Sequence, residues 1–221
     1  MSQRDDGLIV RHTEGERLAH WALAIAFLFL FLSGLAMFHP FFFWLSLLFG
    51  GGQFMRFVHP LAGVALVFLF YPYAVQLWRD NRWLPADQAW VTHMFQYMRK
   101  GYHPGDTGKY NAGQKLMYWS MIPIIGVLFL TGIVIWQPWI APAFPPGLRR
   151  FAALLHAAAA FAMFVGIGVH WYAAYWTRGS IRSMVRGTVT RAWARFHHPA
   201  WYREVSGGAE APERARPQGG R

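Results

Sequence analysis

Cysteine is absent from all 221 residues, and acidic side chains number only ten. Without thiols this chain forms no disulfide framework, holds no iron–sulfur cluster and attaches no prosthetic group through thioether bonds. Any metal site must then be built from histidine, methionine or oxygen ligands. The ten acids (Asp5, Asp6, Glu14, Glu16, Asp80, Asp87, Asp106, Glu204, Glu210 and Glu213) all avoid four apolar windows, 18–38, 58–78, 116–136 and 151–176. Charge is scarce overall: 14% of residues are charged, against 55% hydrophobic and 18% aromatic, which is too apolar for a soluble domain of this length.

Each window is about the 20 residues that a spanning helix needs. The expected fold class is therefore an all-α integral membrane bundle of four transmembrane helices. The first window resembles a secretory signal in position, but a head carrying four acids precedes it and no clear small-x-small site follows. It is read as the first span. The apolar stretch 40–49, bounded by Pro40 and Gly50-Gly51-Gly52, is too short to cross and is expected to lie at the interface. No internal repeat is visible. Residues 1–205 are expected to form the membrane domain, and 206–221, rich in Gly, Ala, Pro, Glu and Arg, a disordered tail.

A net charge of +11 would suggest nucleic acid in a soluble protein, but the distribution of cations excludes that here. Of 21 Lys and Arg, all but Arg56, Arg149 and Arg150 fall on the side of the termini. The positive-inside rule then places both termini in the cytoplasm. Trp21, Trp78, Trp119, Trp136, Trp139 and Trp176 lie near the expected helix ends, where amphipathic rings favour headgroups. The segment 178–204 mixes arginines with Trp193, Phe196, Trp201 and Tyr202, which suits the membrane surface, packing against the inner loop, or a solvated basic face.

Histidines carry the chemistry. His156 and His170 stand 14 residues apart in the last window. At 1.5 Å per residue that is roughly 21 Å, and both rings leave the same helix face. An ionisable side chain in a spanning helix is a functional hypothesis by default. With the termini inside, His20 lies at the inner edge with His170, and His59 lies at the outer edge with His156. Two imidazoles at each depth suit the two axial positions of a haem, whereas zinc wants about four ligands. A haem with both axial positions filled leaves no open site for oxygen and serves electron transfer.

Alternatives stay open. His20 or His59 alone could be an interfacial anchor, and His39 competes for the outer site. His12, His93, His103, His197 and His198 are expected to be solvated or to contact propionates. Gly34, 14 positions after His20, could clear room for a porphyrin or serve close helix packing. A haem-free membrane anchor or small transporter relaying protons is a rival, though such relays usually include carboxylates within the helices.

The surroundings of these histidines resemble a known family, the cytochrome b (gamma) subunit of respiratory formate dehydrogenase. The resemblance is carried by His20-Trp21, by 56–63 around His59-Pro60, and by Gly108-Lys109-Tyr110-Asn111-Ala112-Gly113-Gln114-Lys115. It continues in Leu155-His156-Ala157-Ala158-Ala159, Gly179-Ser180-Ile181 and His197-His198-Pro199 with Trp201-Tyr202-Arg203-Glu204. It covers about 9–204 and fades at both ends. Spaced membrane histidines alone would equally suit the cytochrome b of a membrane hydrogenase or thiosulfate reductase.

The resemblance implies two haems b, with His20 and His170 on one and His59 and His156 on the other. It implies a quinone site beside the inner haem, with Asn111 and Gln114 bonding the quinone (menaquinone or ubiquinone) and Gly113 allowing close approach. The same residues could instead form a helix N-terminal turn with no ligand. Further implications are an iron–sulfur subunit and a molybdopterin catalytic subunit as partners, a higher oligomer of the complex, and a bacterial inner membrane location. The chain itself would not be catalytic toward formate; it would be the quinone-reducing subunit of that complex.

Overall fold

Polar caps, more than the apolar windows, decide where two of the four long helices begin. In the computed structural model, which describes residues 7–97 and 105–207, strand β1 (Leu8–Val10) leads into α1 (Glu14–Phe38). Thr13 Oγ1 accepts the Glu16 N–H and the Glu16 carboxylate accepts the Thr13 N–H, which satisfies two otherwise orphaned donors. A 3₁₀ segment (Pro40–Phe49) follows, and Gly50 and Gly51, with φ of 76° and 95°, turn the chain into α2 (Gly52–Leu77). The short helices α3 (Pro85–Thr92) and α4 (Met94–Tyr97) come next. Helix α5 (Ala112–Val134) starts at a second capping box, between Asn111 and Gln114, and α6 (Pro146–Trp176) starts with Pro146.

These starts precede the expected windows by four to six residues. At α1 and α5 the reason is that a capped polar turn is helical without being apolar. The ends agree to within two residues. Pro60, Pro72 and Pro123 sit inside helices, each withdrawing an N–H from the ladder.

After α6 the chain forms α7 (Ser180–Arg186), strand β2 (Thr188–Thr190), α8 (Arg191–His197) and α9 (Pro199–Val205). Strand β1 pairs antiparallel with β2, Ile9 opposite Val189, so the segments flanking the four spans meet on one side of the bundle. Residues 208–221, most of the tail set apart as disordered, lie outside the described residues, as do Asp5, Asp6 and His103. Ser206 and Gly207 close α9 in a turn.

Helices α1 and α2 pack as one hairpin and α5 and α6 as another, with α2 against α5. Helices α1 and α6 touch only sparsely. Leu66, Met121, Ile125 and Met163 form the shared core, lined by Leu23, Phe27, Leu30 and Phe70. Tyr71 donates to the Ile122 carbonyl at 3.0 Å and Tyr118 to the Ala74 carbonyl at 2.7 Å, tying α2 to α5. The outward faces are apolar as well: Ile25, Phe68, Leu130, Phe161 and Val169 are exposed. Each such side chain prefers an apolar surround over water by about 1.5–3 kcal/mol. With helices of 23 to 31 residues, long enough to cross a hydrocarbon core, this is an integral membrane bundle.

Candidate functional site

The sparse seam between α1 and α6 is bridged by rings. His20 and His170 face each other with ring centroids 6.2 Å apart and planes inclined at 47°, and Phe31 stacks on Phe164 at 4.8 Å further along. Two metal–imidazole bonds of about 2 Å, with each ring centre about 1 Å behind its nitrogen, require centroids about 6 Å apart. The His20–His170 spacing fits one iron held between two imidazoles. His20 Nδ1 is buried and lacks a hydrogen-bond partner among the described residues.

The other pair lies toward the opposite side. His59 is near the start of α2 and His156 is in the first third of α6, close enough to act on His59 electrostatically. Their surroundings repeat a single device. Ser33 Oγ on α1 lies 2.7 Å from His59 Nδ1, and Thr131 Oγ1 on α5 lies 2.9 Å from His156 Nδ1. Each hydroxyl also donates to the carbonyl four residues back in its own helix, Ser33 to Phe29 at 2.7 Å and Thr131 to Val127 at 2.6 Å. A hydroxyl has one hydrogen, so toward the histidine its oxygen must accept. Both rings therefore donate from Nδ1, and Nε2 keeps the lone pair that a metal takes.

A glycine follows each hydroxyl. A β-carbon on Gly34 would stand 3.5 Å from His59 Cε1, and one on Gly132 would stand 3.4 Å from His156 Cε1. Gly34 thus lies against a ligand ring, where the sequence suggested either porphyrin clearance or helix packing. The hydroxyl–glycine pairs Ser33-Gly34 and Thr131-Gly132 were not singled out in the sequence. Their signal was a matched dipeptide near the same end of the first and third spans.

No group of three or more His, Cys, Asp or Glu converges among the described residues. Each site offers two imidazoles, a donor set that suits a group bringing its own equatorial ligands, and haem fits it. His39, the competitor for the far pair, accepts the Phe41 N–H on Nδ1 at 3.2 Å and caps the 3₁₀ segment. It lines a cavity of about 330 Å³ with Arg56, Met37 and Phe43.

On the side of the termini a polar cap covers the mouth of α5. Asn111 Oδ1 accepts from Gln114 N at 2.9 Å and Gln114 Oε1 accepts from Asn111 N at 3.0 Å. Capping consumes both amide oxygens and leaves each NH2 as a donor for a carbonyl. A β-carbon on Gly113 would approach Trp90 of α3 to 3.0 Å, so that glycine admits an indole ring. Lys115, 1% exposed, reaches Asp87 of α3 at 2.6 Å and fastens α3 across the start of α5. Lys109 lies between Asp80 at 2.8 Å and Glu16 at 3.3 Å.

The tail segment packs onto this loop, one of the three placements the sequence allowed. His198 donates from Nδ1 to the Gly108 carbonyl at 2.7 Å, Ala200 N–H donates to Thr107 O at 3.1 Å, and Arg203 pairs with Asp106. Arg11 donates to Lys109 O at 2.7 Å, with its guanidinium 4.8 Å from the Trp193 ring centre and 5.4 Å from that of Trp201. Burial lowers the Arg11 pKa to about 10, which leaves it charged at neutral pH. His12 and His198 are buried, not solvated, His12 against the Tyr110 ring and His198 between Trp193 and Trp201. Burial, reinforced by Arg11 and Lys109, lowers His12 to about 3, and burial with Arg11 nearby pushes His198 well down. Burial pushes Tyr110 up. His93, by contrast, is exposed.

Residues 11–187 match the prokaryotic cytochrome b561 family. The formate dehydrogenase cytochrome b556(fdo) subunit of Escherichia coli K12 is 42% identical over 205 residues, 93% of this chain and 96% of that protein. The nitrate-inducible formate dehydrogenase cytochrome b556(Fdn) subunit of the same strain is 40% identical, covering 90% of this chain and 92% of its own. The formate dehydrogenase cytochrome b556 subunit of Haemophilus influenzae is 39% identical, covering 90% and 84%. Likeness sustained from the first span to the tail makes this chain a member of the prokaryotic cytochrome b561 family, grouped with its formate dehydrogenase cytochrome b556 subunits.

Proposed function

We propose that this chain is the membrane electron-transfer subunit of a formate dehydrogenase, passing electrons from a periplasmic catalytic partner to quinone at the cytoplasmic side. The observation that carries the proposal is the His20–His170 ring spacing of 6.2 Å, which would suit one iron held between the two imidazoles. A second histidine pair, His59 and His156, lies toward the other side. Haem b bound at each pair would supply one-electron storage, one centre near each membrane face. The chain supplies the rest. His20 and His170 hold the centre on the side of the termini, and His59 and His156 hold the far one.

The cation asymmetry supports placing both termini in the cytoplasm and the far pair near the periplasm. Having no cysteine, the chain holds no iron–sulfur relay of its own. Its likeness to formate dehydrogenase subunits supports an iron–sulfur subunit that feeds it and a molybdopterin subunit that oxidises formate, in a higher oligomer at the bacterial inner membrane. The names of its relatives support formate as the donor.

Quinone, menaquinone or ubiquinone, would bind at the α5 mouth. Asn111 and Gln114 donate there from their free NH2 groups, and the capping box holds both side chains still. Each inward electron opposes the membrane potential by about 2.3 kcal/mol per 100 mV. Taking the quinol protons from the cytoplasm conserves that work. The test is formate-dependent quinone reduction by the copurified complex in sealed vesicles: quinol forms and the cytoplasmic side turns alkaline. Acidification of that side, or no reduction, would sink the proposal.

A further inference from the structure

Both far-side histidines rest on a neighbouring helix's hydroxyl, and the heavy-atom distances there assign the donors and acceptors. Ser33, fully buried, and Thr131 each spend their one hydrogen on a backbone carbonyl at 2.7 and 2.6 Å. At that separation two oxygens with no proton between them would repel. The hydroxyl oxygens thus accept from His59 and His156 Nδ1–H at 2.7 and 2.9 Å. Self-satisfaction of a membrane hydroxyl accounts for the back-bond to the carbonyl. It does not account for two such oxygens aimed at two histidine rings, each ring edge lying against the glycine that follows the hydroxyl. His20 Nδ1, on the other side, is buried without such a partner among the described residues.

We infer that Ser33 and Thr131 are positioning residues that lock the far-side imidazoles in the metal-binding tautomer and lower the reduction potential of the far-side centre below that of the His20–His170 centre. An Nδ1–H donated to oxygen makes the ring more electron-rich, and an electron-rich axial ligand favours the oxidised metal. The arrangement makes transfer from the far side to the side of the termini downhill in the protein's own chemistry. The inference rests on the proposed two-centre function.

The test is a potentiometric titration of the haem-loaded protein and its Thr131→Val and Thr131→Ser variants, followed by haem absorbance. Valine matches threonine in shape and removes the oxygen, whereas serine keeps it. Thr131→Val should raise the lower-potential step by about tenfold in its reduction constant, 59 mV for one electron, and leave the higher step in place. Thr131→Ser should match the parent. Loss of one haem from Thr131→Val but not from Thr131→Ser would support the same role, because it reads lost ring orientation. Unmoved steps with both haems retained in Thr131→Val, or equal shifts in Val and Ser, would overturn the inference and leave the proposed function standing. A parent protein holding fewer than two haems would overturn both.

Discussion

His198 donates its Nδ1–H to the Gly108 carbonyl at 2.7 Å, joining the C-terminal segment to the loop that opens α5 across 90 residues of sequence. The contact buries a neutral imidazole among cations. His198 faces Arg11, His12 and His197, while His12 faces Arg11, Lys109 and His20 as well as Asp80 and Glu16.

The cap should loosen in acid. Both histidines have folded pKa values below the unfolded 6.5, His12 at about 3. As pH falls through 6.5 the unfolded chain takes up protons that the folded cap refuses, so stability is present above 6.5 and declines toward 3. Amide exchange of β1, β2 and α9 should quicken across that window while the four spans stay protected. Exchange in the cap that is flat with pH would contradict this.

Lys115 and Asp87 are a buried pair, and removing one partner leaves the other charge uncompensated. Asp87→Asn or Lys115→Met should each cost about 3–5 kcal/mol of stability, and the double variant should lose much less than the two combined. Unfolding of the detergent-solubilised protein checks both. An additive double variant would show that the charges act separately.

Gln114→Glu separates capping from quinone binding. Glutamate still accepts the Asn111 N–H, so α5 keeps its cap, but the NH2 donor is gone. One lost hydrogen bond of about 1.4 kcal/mol should raise the KM for quinone about tenfold, with haem content unchanged. An unaltered KM would return Gln114 to a purely structural role.

The spans and the depth pairing of His20 with His170 were legible because hydrophobic length and helical rise are properties of local sequence. The helix starts were less so, since Thr13 and Asn111 are polar when read singly and become helix starts only through their partners Glu16 and Gln114. Pro146 breaks a helix in its interior and opens one only at its first position. Ser33 and Thr131 were invisible for a different reason. A lone hydroxyl in an apolar helix normally serves its own backbone, and only tertiary packing brings it to a ring 25 or 26 residues away. The burial of His12 and His198 likewise depends on residues distant in sequence, Tyr110 beside His12 and Gly108 bonded to His198.

Pyridine haemochrome quantification per chain, on the parent and on His59→Ala, His156→Ala, His20→Ala and His170→Ala, tests the central claim most directly. The parent should hold about two b haems and each single variant about one. The double His59/His156 variant should also retain about one, because both residues serve the same centre. Fewer than one haem in the parent, or two retained after loss of either His59 or His156, would contradict the paired-ligand account.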